Sequence, residues 1–318
     1  MLKIFDMMNK ILASKQASKQ AIQSYEHLDL FNREHTDVLR GLSMLLVISG
    51  HVGVGVVHSL VALGGIGVSI FLIISGYGLH QSFLKNGLNN FCSKRLLRVL
   101  LPYIVWIILY HIVVFFSPIS PNNTALIPRY WFVEYIIGWY IVFYLAYRYF
   151  QKFAVQIMLC LSVLSFFLCP KLQAEQAFCF VIGVLCSVNK DFWHKYSLRK
   201  QLIFGFVCLL VGCLFAFCRY IVDSANVDLL QKAIPLCMKF SFGVGLILLC
   251  RYRCRLLSLI SVVAYELYLV HYPFFGQIDS NWLNLFIFII QSAFLAYLLH
   301  IIVAHLNQIV KRYVSPSD

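Results

Sequence analysis

Residues 36–53 read TDVLRGLSMLLVISGHVG, an apolar run that follows Asp37 and is broken by one arginine and one histidine. With its flanks the run reaches the roughly 20 residues that cross a bilayer's hydrocarbon core. On a helix, the eleven steps from Arg40 to His51 return to within about 20° of the start and climb roughly 16 Å. Both groups therefore share one face, Arg40 near the cytoplasmic surface and His51 near mid-bilayer. Ionisable groups at that depth are costly and point to function by default. The plain alternative is a snorkelling arginine and a histidine bonded to a neighbouring helix. His58, seven residues beyond His51, extends the same face toward the outer surface.

The rest of the 318-residue chain repeats the apolar theme. Its residues are 61% hydrophobic and only 12% charged, and its mean hydropathy is +0.80. An ordinary soluble domain is thereby excluded, since soluble chains keep about a quarter of their residues charged. Ten transmembrane helices are predicted: 38–58, 62–83, 99–117, 130–148, 153–169, 175–189, 201–221, 229–250, 255–275 and 283–310. The expected fold is all-α and polytopic: an N-terminal extension (1–36), one membrane domain (37–312) and a short tail (313–318).

The net charge of +13 suggests nucleic acid until its distribution is read. With the N-terminus inside, 21 of the 26 Lys/Arg fall on cytoplasmic segments. Only Arg129, Lys171, Arg219, Lys232 and Lys239 lie in the outer half or within helices. This is the positive-inside asymmetry, which puts both termini in the cytoplasm of a cell-membrane protein and makes a nucleic-acid partner unlikely on charge alone. The eleven cysteines show no CxxC pair and no metal-ligand spacing with histidine, so they read as apolar fillers and no metal is expected. Residues 1–36 lack the apolar core of a signal peptide. Ile4, Phe5, Met8, Ile11 and Leu12 recur at helical spacing, which suits either a helix on the inner leaflet or a plain tail.

Four further constellations carry polar chemistry. The second helix contains GGIGVSIFLIISGYG (64–78), whose glycines imply close helix packing or a local break, with Ser69 and Ser75 among them. Arg95 and Arg98 in FCSKRLLRVLLP are three residues apart on one helix face and suit a phosphate clamp or an anionic-lipid contact. The fourth helix opens RYWFVEY, in which Tyr130 and Trp131 read as interface aromatics. Glu134 there either pairs with Arg129 or faces the cavity of His51. The ninth helix, ISVVAYELYLVHYPFF, holds Glu266, Tyr268 and His271. Glu266 and His271 are five residues apart, roughly 140° of rotation, so a regular helix cannot aim both at one point. Pro273 ends or kinks the segment.

Taken in order, these motifs resemble the membrane acyltransferase-3 family, whose members O-acylate envelope sugars and related components. The family's arginine–ten residues–histidine motif matches Arg40 and His51. Its FF-x-x-SG signature resembles IFLIISGY with Ser75 and Gly76, and its R-x-x-R before proline matches Arg95, Arg98 and Pro102. Its late S-Y-x-x-Y-L-x-H-x-P motif matches Tyr265, Tyr268, Leu269, His271 and Pro273, with Ala264 in the serine position; Tyr77 replaces a common phenylalanine. The resemblance covers residues 36 to about 275.

What it implies is transfer of an acyl group, by default acetyl, from cytoplasmic acyl-CoA to a hydroxyl of an envelope glycan or lipid-linked sugar. Acyl-CoA would be a co-substrate, with no permanently bound cofactor. His51 would be the general base, Arg95 and Arg98 would hold a CoA phosphate, and Arg40, Ser75 or Tyr268 would stabilise the oxyanion. An acyl-histidine relay uses the same residues. No SGNH-type domain follows the membrane domain, so the reaction is expected of the membrane domain alone or with a separate envelope partner. A proton-coupled transporter using His51, Glu134 and Glu266 is the competing class.

Overall fold

The computed structural model describes residues 28–55, 57, 60–116, 130–222, 227–277 and 282–314. Among them there are helices and no strands. In chain order these are α1 (Arg33–Gly55), α2 (Val61–Asn86), α3 (Phe91–Arg95), a π-helical turn (Leu96–Leu100) and α4 (Leu101–Phe116). Then come α5 (Trp131–Tyr149), α6 (Ala154–Leu168), α7 (Lys171–Ala174), α8 (Cys179–Val188), α9 (Lys190–Lys195), α10 (Leu198–Val222) and α11 (Asp228–Leu249). The last three are α12 (Arg255–Val262), α13 (Ala264–His271) and α14 (Trp282–Val314). The expectations for residues 1–27, His58 and Arg129 fall outside the described residues.

All ten predicted stretches are helical, but not all are independent spans. Among the described residues seven helices are long and apolar enough to cross a membrane, and α12 with α13, bent by 65° at Val263, adds an eighth where the pair counts as one span. The apolar part of the third stretch, Leu97–Ile112, is shorter than a full span. The fourth, α5, has the length, but Glu134, Arg148 and its many tyrosines dilute its hydropathy. Membrane-facing surface is plain on α10 and α14, where Leu210, Leu214, Phe217, Phe286 and Phe294 are exposed. A helix bare of partners on an apolar face needs lipid around it.

The glycine-rich second stretch folds as one unbroken helix, so of its two readings close packing holds. α2 sits at the centre, against α1 on one side and α8 on the other, with α11 also touching it. Hydrogen bonds inside a helix leave its surface free for such packing, and glycine lets two backbones approach. A Cβ at Gly76 would lie 2.1 Å from the Phe180 carbonyl oxygen, and one at Gly183 2.0 Å from that of Ile73. The α2–α8 crossing therefore tolerates no side chain on either helix. Gly76→Val or Gly183→Val is expected to cost about 1–3 kcal/mol or more through forced separation of the helices. A lowered thermal midpoint of the detergent-purified protein would register it, and an unchanged midpoint would show that the crossing relaxes freely. The true interruptions lie elsewhere, between α7 and α8 and at Val263.

Candidate active site

The bend at Val263 decides where the ninth stretch delivers its polar groups. Glu266 bonds His300 of α14, Nδ1 to Oε1 at 2.9 Å. His271, at the far end of α13 and fully buried, faces α1 instead. Its Nε2 lies 2.7 Å from Nδ1 of His51, with ring centroids 4.8 Å apart. Nδ1 of His271 lies 2.8 Å from the Leu267 carbonyl oxygen. A carbonyl only accepts, so His271 carries its proton on Nδ1 and presents Nε2 as an acceptor. Nδ1 of His51 must then donate to it, which leaves the His51 lone pair on Nε2. Backbone acceptors at His271 thus set the tautomer of both rings.

Other polar anchors hold α13 in this pose. Tyr130, fully buried, donates its hydroxyl to the Leu269 carbonyl at 2.8 Å and accepts from Trp106 Nε1 at 2.7 Å. The expectation of an interface tyrosine is corrected: two hydrogen bonds offset the cost of burying its hydroxyl. Tyr265 donates to the Val99 carbonyl at 2.9 Å, tying α13 to the π-helical turn. A hydrogen bond joins the Tyr268 side chain to the backbone of Phe132, and its ring stands 5.8 Å from that of His271.

Two cavities flank this centre at opposite ends of α1 and α2. The first, about 680 Å³, is lined by Arg40, Ser75, Arg95, Arg98, Tyr140 and Glu266 among others. Arg40 is paired with Asp37 at 2.7 Å, the Arg95 guanidinium stands 5.4 Å over the Tyr140 ring, and Tyr140 bonds Ser75. The second, about 300 Å³, is lined by His51, Tyr268, Tyr272, Trp131 and a set of charged residues from α7, α10 and α11. Between them lies a void of about 10 Å³ bounded by Met44, Val47, Val68, Phe71, Phe132 and Tyr268. A gap of that size barely holds one water.

The predicted site residues therefore divide. Arg40, Ser75, Arg95, Arg98 and Glu266 gather at the larger cavity, while His51 and Tyr268 meet at the smaller with His271 behind them. Of the three suggested oxyanion donors, only Tyr268 shares the cavity of His51. Glu134 is exposed and is not among the residues that line either cavity, although its charge acts on Tyr268 in the wall of the His51 cavity. His51, Glu134 and Glu266 do not form one polar chain. Sequence reasoning missed the His51–His271 contact, because residues 220 apart in sequence are joined only by the fold. It also missed Tyr140, which lines the larger cavity with Phe132 and Ile136 of the same helix.

A polytopic helical bundle with an arginine-lined cavity and a buried histidine pair has the parts of a membrane-embedded transferase. The family model Acyl_transf_3, described as an acyltransferase domain, matches residues 35–312. The chain belongs to this acyltransferase-3 family and is a multi-pass membrane acyltransferase. No curated protein and no solved structure matches it.

Proposed function

We propose that the protein moves an acyl group, acetyl by default, from cytoplasmic acyl-CoA to a hydroxyl of an envelope sugar, with His51 as general base. The observation that carries this reading is the His51–His271 pair, which leaves the basic nitrogen of His51 on the side away from His271. Acyl-CoA would enter the larger cavity from the cytoplasm, its phosphates on Arg95 and Arg98. The acyl-pantetheine arm would run through the narrow waist toward Tyr268. The acceptor would occupy the smaller cavity from the outer side. His51 Nε2 would take the hydroxyl proton as its oxygen attacks the thioester carbonyl, and the proton would pass to the departing thiolate. Tyr268 would hydrogen-bond the oxyanion. Direct transfer uses each group once; an acyl-histidine intermediate would use the same nitrogen twice.

The test follows label from radioactive acetyl-CoA into glycan or lipid in inside-out vesicles, with wild type and His51→Ala. Label that depends on His51 supports the proposal. Equal incorporation by both would remove His51 from the chemistry. With the donor varied, Arg95→Ala and Arg98→Ala are each expected to raise KM for acetyl-CoA roughly tenfold, the value of one charge-assisted hydrogen bond. kcat should stay near wild type. A fall in kcat at constant KM would instead put the arginines at the reacting carbonyl.

A further inference from the structure

The larger cavity carries more arginine than the pair given to the donor above. Arg33, Arg40, Arg95 and Arg98 all line it, against two carboxylates, Asp37 and Glu266. Asp37 is taken by Arg40, and Glu266 bonds His300. The wall therefore holds more positive charge than its own carboxylates balance. Charge on segments read as cytoplasmic could reflect topology alone, but topology is served by lysine as well as by arginine. The two are about equally common on those segments, yet all four cations in this wall are arginines. What sets arginine apart is its planar fork, which matches the paired oxygens of a phosphate.

The four arrive as two groups. Arg95 closes α3 and Arg98 lies in the π-helical turn, a geometry that recurs at functional sites. Arg95 is half-buried, with the rings of Phe91 and Tyr140 beneath its guanidinium. Arg33 opens α1 and is exposed, with Arg40 two turns further in. Down that helix Arg33 stands about 27 Å from His51, against roughly 16 Å for Arg40, so it is the outer cation of the two. It also precedes residue 35, where the family match begins, so family membership alone assigns it no role.

Coenzyme A presents two anionic groups in series. Its diphosphate joins the pantetheine arm to adenosine, and its 3′-phosphate hangs from the ribose beyond. With the arm directed to Tyr268, the diphosphate falls to the deeper arginines and the 3′-phosphate to the mouth. We infer that Arg33 seats the 3′-phosphate of the acyl-CoA donor, while Arg95 and Arg98 keep the diphosphate. The inference rests on the acyl-transfer reading for the identity of the donor. Arg33 acts on donor choice and not on the reacting atoms: a donor without the 3′-phosphate forgoes the charge-assisted bonds made there.

Binding tests it apart from turnover. The full-length protein in detergent is titrated with CoA and with dephospho-CoA, which lacks the 3′-phosphate, at constant ionic strength while the thermal midpoint is followed. Wild type is expected to half-saturate with CoA at a concentration about five- to tenfold lower than with dephospho-CoA. In Arg33→Ala the preference should vanish, with dephospho-CoA binding unchanged. Arg33 is exposed in the first turn of its helix, so the variant is expected to keep its fold. Lys152→Ala removes an equal charge from an exposed position outside the cavity and should leave the preference intact. The inference is overturned if CoA fails to shift the midpoint, if dephospho-CoA binds as well as CoA, or if the preference survives Arg33→Ala or falls equally in Lys152→Ala. CoA binding without a preference would leave the acyl-transfer reading intact. A preference for CoA without label transfer by wild type would sink that reading and leave the role of Arg33 standing.

Discussion

His51→Ala is expected to lower initial rates of acyl transfer about 10²–10⁴-fold, the range supplied by a positioned general base. His271→Ala should fall in the same direction, since its Nε2 is what draws the His51 proton to Nδ1. Without that acceptor His51 is free to place its proton on Nε2, where it cannot act as base. The double variant should be little worse than His51→Ala alone, because the two rings act as one unit and their losses do not multiply. His271→Gln, which keeps an acceptor oxygen near the same place, should recover part of the rate. KM for acetyl-CoA should hardly move, as the arginine-lined cavity is untouched. Losses that multiply in the double variant would mean that His271 has a separate job.

Lys239→Met is the substitution expected to destabilise most. It strips buried Glu175 of its direct ion-pair partner, and breaking a buried pair from one side costs about 3–5 kcal/mol. The damage has a route into the central helix. Gln176, next to Glu175, donates to the Gly65 carbonyl at 2.9 Å and accepts from Ser69 at 2.8 Å. The Lys239 stem itself runs over Gly65, where a Cβ would sit 2.4 Å from Cε. Adding Glu175→Gln to Lys239→Met removes the orphaned charge and should bring the thermal midpoint most of the way back. Failure of that rescue would show that the pair is needed for shape rather than for neutrality.

Much of this was legible before any coordinates. Continuous apolar runs predict helices at all ten places, because hydrogen bonding inside a helix is the simplest solution for a backbone in lipid. Four short motifs in order were enough for the family. The spacing of Glu266 and His271 already said that they serve different neighbours, and they do. The bend at Val263 was not legible: no proline or glycine marks it, and it arises where α12 packs against α1. Nor was the role of Tyr130, since a tyrosine before a tryptophan at a helix start reads the same whether it faces lipid headgroups or a carbonyl of α13. The division of Arg40 from His51 between two cavities was implicit in their rise of roughly 16 Å along one helix. It needed the intervening aromatic residues, from other helices, to become a fact.

Those aromatics have a consequence for the cell as a whole. On the proposed route, with the donor entering one cavity and the acceptor the other, the path between them must not become a leak. The waist between the cavities is walled by Met44, Val47, Val68, Phe71 and Phe132, with room for about 10 Å³. A gap that barely holds one water leaves no room for a file of them between the two cavities. The proposed acyl-pantetheine arm, long and slender, would have to part those side chains to pass. On that route the membrane would stay energised while the acyl group is handed from one cavity to the other.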